Sequence, residues 1–286
     1  MDPLAPIINR LHDEGRPRVW SIVITVMGDS VHHRGGQIAT GRLARLLGRI
    51  GIESGAMRTA LSRLANDGWV TGTRSGRTSS YQLSDAGQEQ VVPAAARIYA
   101  PPHDSPVHHW VFDTNPASTG IAIAGGYLRP VTEPSQPRTS RSSAPSGFAI
   151  VGHLPPQAHA AVAEALPETQ TDALTHLWAD LADLHRLHPI ALAPLDALAA
   201  RTLLIHRWRR IALRWCDLPP ETLPPPFTGR NLRAEVARAY AHLTPQAERW
   251  LSTKQDDLAP LPAPDPGFAN RFNADALDLA GQPRNS

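Results

Sequence analysis

The sequence predicts an α+β protein, mostly helical, with an N-terminal winged helix-turn-helix, a small central α+β domain and a C-terminal helical domain. Three observations carry this prediction. Two apolar-periodic segments separated by a few residues are followed by two alternating segments around a Ser-Gly-Arg tip. Short β-like runs flank a Pro/Ser-rich stretch in the middle of the chain, and three long segments of helical period follow residue 170.

A chain of 286 residues with 42% hydrophobic content can supply the cores of two or three domains. No apolar run reaches the about 18 residues of a membrane span, and "MDPLAPIINRLHDEGRPR" has no apolar stretch after a positive one. The expected location is the cytoplasm. The single cysteine, Cys216, excludes an internal disulfide and lacks the second ligand of a Cys-based zinc motif. Residues 1–80 hold 11 arginines against six acids, whereas residues 81–286 hold 17 basic against 20 acidic residues. Basic charge is therefore concentrated in the N-terminal quarter. Lys254 is the only lysine, so the positions of the arginines carry more information than their number.

Taken in order, "RVWSIVITVMG" (18–28) is a nearly continuous apolar run whose length and Gly28 stop fit a buried helix or strand, and its context favours the helix. In "IATGRLARLLGRIGI", Leu43, Leu46, Leu47 and Ile50 recur at helical spacing, Thr40 is placed as N-cap and Gly51 as the stop. A second helix, about Ser54 to Asp67, repeats Met57, Ala60, Leu61 and Leu64 at i, i+3, i+4, i+7. So short a connection with glycine forces a sharp crossing. "WVTGTR" and "TSSYQL" then read as strands joined by Ser75-Gly76-Arg77, with Tyr81 and Leu83 in the core beneath the hairpin.

These elements define a winged-helix domain over 1–92. Residues 93–170 form the central domain, with strands in "PVHHWVFDT", "GIAIAGGYLRP" and "GFAIVGHL" and a loop over 130–147 too polar to pack. The C-terminal helical domain spans 171–254. Residues 255–286, rich in Pro, Asp and Asn, are expected to be poorly ordered.

On the second helix the inward face is fully accounted for by its apolar residues. That turns Ser54, Arg58, Thr59, Ser62 and Arg63 to the flank or the opposite side. A helix entering a major groove needs such a small, polar, cationic face, because arginine bonds guanine edges bidentately and hydroxyls reach phosphates or bases. Thr40 at the start of the preceding helix, and Arg74, Gly76, Arg77 and Thr78 around the hairpin tip, complete the candidate DNA-binding set. The competing reading of each arginine alone is a solvated surface charge; their common placement favours DNA.

No other chemistry has an anchor. The pairs His32–His33 and His108–His109 diverge in any regular structure, and His185-x-x-His188 lacks a carboxylate at ligand spacing. Glycine fingerprints for nucleotides and nucleophile elbows are absent from the sequence, so neither an enzyme nor a cofactor is expected. The cluster His206, Arg207, Trp208, Arg209 admits two readings. One is an amphipathic helix with Trp208 packed and its arginines solvated or paired. The other is an anionic effector site, since guanidinium matches phosphate and carboxylate.

The run "GIESGAMRTALSRLANDGWV…RSGRTSSYQLSDAG" resembles the N-terminal module of the PaaX-type transcriptional repressors of phenylacetic acid degradation. "SIVITVMGDSV", the glycines at 35 and 36, and "LIHRWRRIALRWCDLPPETLP" (204–224) are similar to that family's pattern in the same order. The resemblance covers 17–90 and 195–251, while residues 104–170 depart from it. It implies a homodimeric repressor with a ferredoxin-like central domain, bound to a palindromic double-stranded DNA operator. It also implies release by an aromatic acyl-coenzyme A, typically phenylacetyl-CoA. The alternatives of another class are a nucleic-acid-processing enzyme and a protein-interaction scaffold, each using the winged helix for docking.

Overall fold

The structure is a computed structural model that describes residues 2–15, 17–76, 78–102, 109–115, 120–131, 149–187, 192–214, 218–256 and 258–273. It is α+β with two small antiparallel sheets, and it divides into two compact units. The first comprises Met1–Pro101, His176–Arg209 and Glu235–Ser286; the second comprises Pro102–Thr175 and Arg210–Ala234. Arg77, His108, His188, Trp215 and Cys216, and most of 130–147, lie outside the described residues.

The first unit opens with α1 (Ala5–Asp13), which sequence reasoning did not identify and which buries Ile7 and Leu11. In α2 (Val19–Val26) the apolar run is a helix, as its context suggested, but it does not stop at Gly28. It continues as a π-helical turn over Met27–Val31, closed by His32 N–H donating to Met27 O at 2.8 Å. Such turns are rare single interruptions of α-helices, and this one carries the buried Asp29. After β1 (Gln37–Ala39) come α3 (Thr40–Arg49) and α4 (Ser54–Asn66), then β2 (Val70–Ser75), β3 (Thr78–Leu83) and α5 (Asp85–Ile98). β3 lies between β1 and β2, antiparallel to both.

Both helices end in the same way. Gly51 and Gly68 have φ of +82° and +74°, and the following residues, Ile52 and Trp69, donate back to Leu47 O and Leu64 O at 2.9 and 2.8 Å. A residue with a Cβ strains in that conformation, so glycine fixes the chain reversal at both points. Thr40 is not the N-cap of α3. It is the first helical residue, and its hydroxyl donates to Ser79 O at 2.9 Å, binding the helix start to β3. Helix α5 also escaped the sequence reading, because Pro93 interrupts its pattern. Its start is fixed by Ser84, whose hydroxyl accepts from Gly87 N–H at 3.0 Å. Tyr81 is half-buried and Leu83 buried under the hairpin.

The predicted C-terminal helices are α7 (Glu168–Leu187), α8 (Pro194–Arg214) and α9 (Leu232–Ser252). Within the first unit a buried ionic group joins α8 and α9 to the π turn. Arg201 meets Asp29 at 3.1 Å and Glu248 at 2.7 Å, and Arg34 donates to Glu248 at 2.7 Å. Residues 258–273 correct the expectation of a poorly ordered tail. Arg42 and Arg34 donate to Ala259 O and Pro262 O at 2.8 and 2.7 Å, and Leu261 is buried. Composition missed this because a Pro-rich segment forms no core of its own, yet it can lie on one.

The second unit holds β4 (His109–Asp113), β5 (Ile121–Ile123), β6 (Gly126–Val131) and β7 (Ala149–Gly152) in the order β5-β6-β4-β7, every neighbouring pair antiparallel. Trp110, Ile121 and Leu128 of this sheet pack with Val162 of α6 (Ala158–Glu164) and with Leu166. The ferredoxin-like expectation requires a helix between the first two strands. Only residues 114–120 separate β4 from β5, fewer than the dozen a helical crossover needs.

Candidate nucleic-acid interface

Helix α4 separates its two faces as the sequence requires. Met57, Ala60, Leu61 and Leu64 are buried, and Ser54, Arg58, Thr59, Ser62 and Arg63 are exposed. Ser54, Arg58 and Ser62 fall on one stripe at four-residue spacing, with Thr59 and Arg63 on the stripe beside it. Arg58 makes no hydrogen bond or ion pair among the described residues, so its guanidinium is available to a ligand. Arg63 lies 3.5 Å from Asp67, but both are well exposed, and such a pair holds weakly in water. The Thr59 hydroxyl donates to Gly55 O at 3.1 Å within the helix, leaving its oxygen able to accept. No side chain caps the start of α4, so its first N–H groups are open as well.

The hairpin begins four residues after α4. Val70 and Leu83 anchor its base, while every described residue from Thr71 to Ser79 is exposed, so it projects from the body of the unit. Ser75 and Thr78 pair across its tip, and Gly76 has φ +57°. Arg74 Nε–H donates to Gly76 O at 3.3 Å, which orients this arginine at the tip. Arg77 falls outside the described residues. Thr78 also borders a cleft of about 330 Å³ with Gln37, Arg34, Arg42, Leu258 and Pro262, where both guanidiniums are engaged by main-chain carbonyls.

A close approach that sequence reasoning did not register fixes the base of the hairpin. A Cβ on Gly87 would lie 2.2 Å from Trp69 O, so the start of α5 can rest on the strand entry only without a side chain. The quoted "SDAG" was the available signal.

The structure places the second candidate group in the interior. Arg207 pairs with Asp180 and Glu14, and Trp208 Nε1–H donates to Ile98 O at 2.8 Å. Arg209 donates to Ser21 O and Thr25 Oγ1 at 3.1 and 3.0 Å, and His206 Nδ1 lies 3.2 Å from the same hydroxyl. All four are thus committed to holding α8 against α1, α2, α5 and α7. Burial lowers the Arg209 pKa while the Tyr99 phenol opposes it. Among the described residues, no group of three or more His, Cys, Asp or Glu side chains gathers to hold a metal, and no helix is long and apolar enough to cross a membrane.

Comparison with known proteins adds two family matches. Residues 18–87 match the model described as PaaX-like protein, and residues 167–253 match that of the PaaX-like protein C-terminal domain. The chain is 28% identical over 281 residues to the transcriptional repressor PaaX of Escherichia coli (strain K12), covering 88% of this chain and 89% of that protein. Among solved structures, the uncharacterized protein Rv0674 from Mycobacterium tuberculosis is similar at 16% identity and a TM-score of 0.42, covering 79% of this chain and 95% of that one.

Proposed function

From the premise that the chain belongs to the PaaX-like family, we propose that it is a DNA-binding transcriptional repressor, not an enzyme, whose residues 17–90 act as a winged helix-turn-helix. The observation that carries this reading is the two-sided α4, with an exposed polar and cationic stripe over a completely buried apolar one. In it, α4 enters the major groove, Arg58 and Arg63 bond base edges, Ser54, Thr59 and Ser62 bond bases or phosphates, and the hairpin is the wing that holds the backbone through Arg74, Gly76, Arg77 and Thr78.

One such module contacts few base pairs. A homodimer doubles the contact over half-sites about one helical turn apart, on the order of 34 Å, so the operator is palindromic. The protein works in the cytoplasm, where the DNA is. Release by an aromatic acyl-coenzyme A belongs to the same reading, and its support is the family resemblance. His206, Arg207, Trp208 and Arg209 are each bonded within the protein, and an acyl-CoA would have to displace those partners to use them.

Selection by the full-length protein from a library of random duplexes tests the reading. It predicts enrichment of an inverted repeat with that spacing, bound as two protomers per duplex. Absence of any enriched sequence contradicts it.

A further inference from the structure

We propose that Asp29, Tyr99 and Tyr240 form a receptor for a guanidinium cation, and that residues 258–273 are a detachable strap whose Arg271 is the receptor's tethered ligand. The receptor is assembled without the strap, from the π turn, the end of α5 and the middle of α9. Tyr99 and Tyr240 hydroxyls donate to Asp29 Oδ1 at 2.7 and 3.0 Å, while Ser30 Oγ and Arg201 hold Oδ2 at 2.9 and 3.1 Å. The two phenol rings stand 5.8 Å apart at 60° and form an aromatic corner above a fixed, buried carboxylate.

Arg271 fills that corner. Its Nη1 donates to Asp29 at 3.0 Å and its Nη2 to Gly28 O at 3.1 Å. Its guanidinium carbon lies 4.2 Å from the Tyr99 ring centre and 5.9 Å from that of Tyr240. An aromatic face beside an acceptor pair is the chemistry that selects a planar, forked cation over a compact ammonium.

Charge separates the strap from the receptor. Without Arg271 the buried group holds two carboxylates, Asp29 and Glu248, and two guanidiniums, Arg34 and Arg201. Arg271 is a third cation, and its departure leaves two guanidiniums against two carboxylates. Its Nε–H is buried with no acceptor among the described residues, so part of its bonding capacity is unmet in the seated state.

The strap itself is built to come away. It carries Pro260, Pro262, Pro264 and Pro266, and its regular structure is the short 3-10 turn Pro266–Asn270. Its main chain donates outward from Leu261 N–H to Leu251 O, Asp265 N–H to His33 O and Phe272 N–H to Tyr99 O, at 2.9, 2.8 and 2.8 Å, and accepts from Arg42 at Ala259 O and from Arg34 at Pro262 O. Beyond buried Leu261 and the Arg271 side chain, most of it is exposed. Beyond Pro262 its main chain bonds outward at Asp265 and Phe272, and a stretch so held, with little internal structure, opens as a unit. Seated, it runs over His33, Gly35 and Gly41 and ties the start of α3 to α9.

The test uses full-length Arg271→Ala with ethylguanidinium, whose atoms replace those removed beyond Cβ, and ethylammonium at equal ionic strength as control. Chymotryptic cleavage at Leu261, Phe268 or Phe272 is expected to speed up about tenfold in the variant. Millimolar ethylguanidinium should restore protection saturably and ethylammonium should not. Arg271→Lys, with an unchanged far-ultraviolet circular dichroism spectrum, keeps the charge without the fork and should also cleave faster than the parent. Unchanged cleavage in both variants, or equal rescue by the two cations, overturns the proposal.

Discussion

Arg201 and Asp29 face each other at 3.1 Å, and neither side chain has any solvent exposure. Removing Arg201 strips both Asp29 and Glu248 of a charged partner in a low-dielectric interior. Arg201→Met is therefore expected to lower stability by about 3–5 kcal/mol in urea titrations. Adding Asp29→Asn should cost less than the sum of the two single changes.

The same group sets the pH dependence. Burial pushes the Asp29 carboxyl up, but Arg201 and Arg271 and the Tyr99 hydroxyl outweigh it and hold it below its ordinary value. A depressed carboxyl contributes stability above its unfolded value, about 3.9, and that contribution is lost as pH falls toward the folded value. Burial pushes the Tyr99 and Tyr240 phenols up, although Arg271 opposes the shift. Their contribution is present below about pH 10 and is lost as pH rises above it. Denaturation midpoints across pH should fall on both limbs, and Asp29→Asn should flatten the acid limb and also shift the alkaline one, because the Asp29 charge helps to hold both phenols up.

Gly87→Ala places a methyl group 2.2 Å from Trp69 O. Backbone must move to admit it, so a loss of about 1–3 kcal/mol is expected from thermal or urea unfolding. The hairpin, rooted at Trp69 and Val70, should show faster amide hydrogen exchange in the variant.

Arg207→Ala separates the two readings of the His206–Arg209 cluster. Its guanidinium serves Asp180 and Glu14, and Asp180 is almost wholly buried. The expected outcome is a stability loss of about 3–5 kcal/mol. A variant of undiminished stability that loses only acyl-CoA affinity would favour the effector-site reading.

The helix pair and hairpin of the first unit were legible because local rules set them. The i, i+3, i+4, i+7 apolar residues of α4, the glycines at 51 and 68, and the alternation of β2 and β3 each act within a few residues. The interior of the first unit was not legible in the same way. Asp29, Arg34, Arg42, Arg201 and Arg271 look in sequence like ordinary surface charges. Their burial depends on partners about 40 to 240 positions away, and no local pattern encodes those pairings. The arginines of "HRWRR" left two readings open for the same reason: clustering along the chain does not tell an anion site from a packed helix, and in space Arg207 and Arg209 have internal acceptors. The central sheet was legible as strands but not in topology, since the order of its strands is a matter of connection length and pairing.

The central claim is that α4 reads sequence while the hairpin grips the backbone. The direct measurement is the affinity of the parent, Arg58→Ala and Arg74→Ala for the selected duplex and for random duplex across a range of salt. Arg58→Ala should lose about 1–3 kcal/mol on the selected duplex and little on random DNA. Arg74→Ala should weaken both about equally and reduce the salt dependence by about one ion. Equal loss on both duplexes for Arg58→Ala, or no loss at all, would contradict the account.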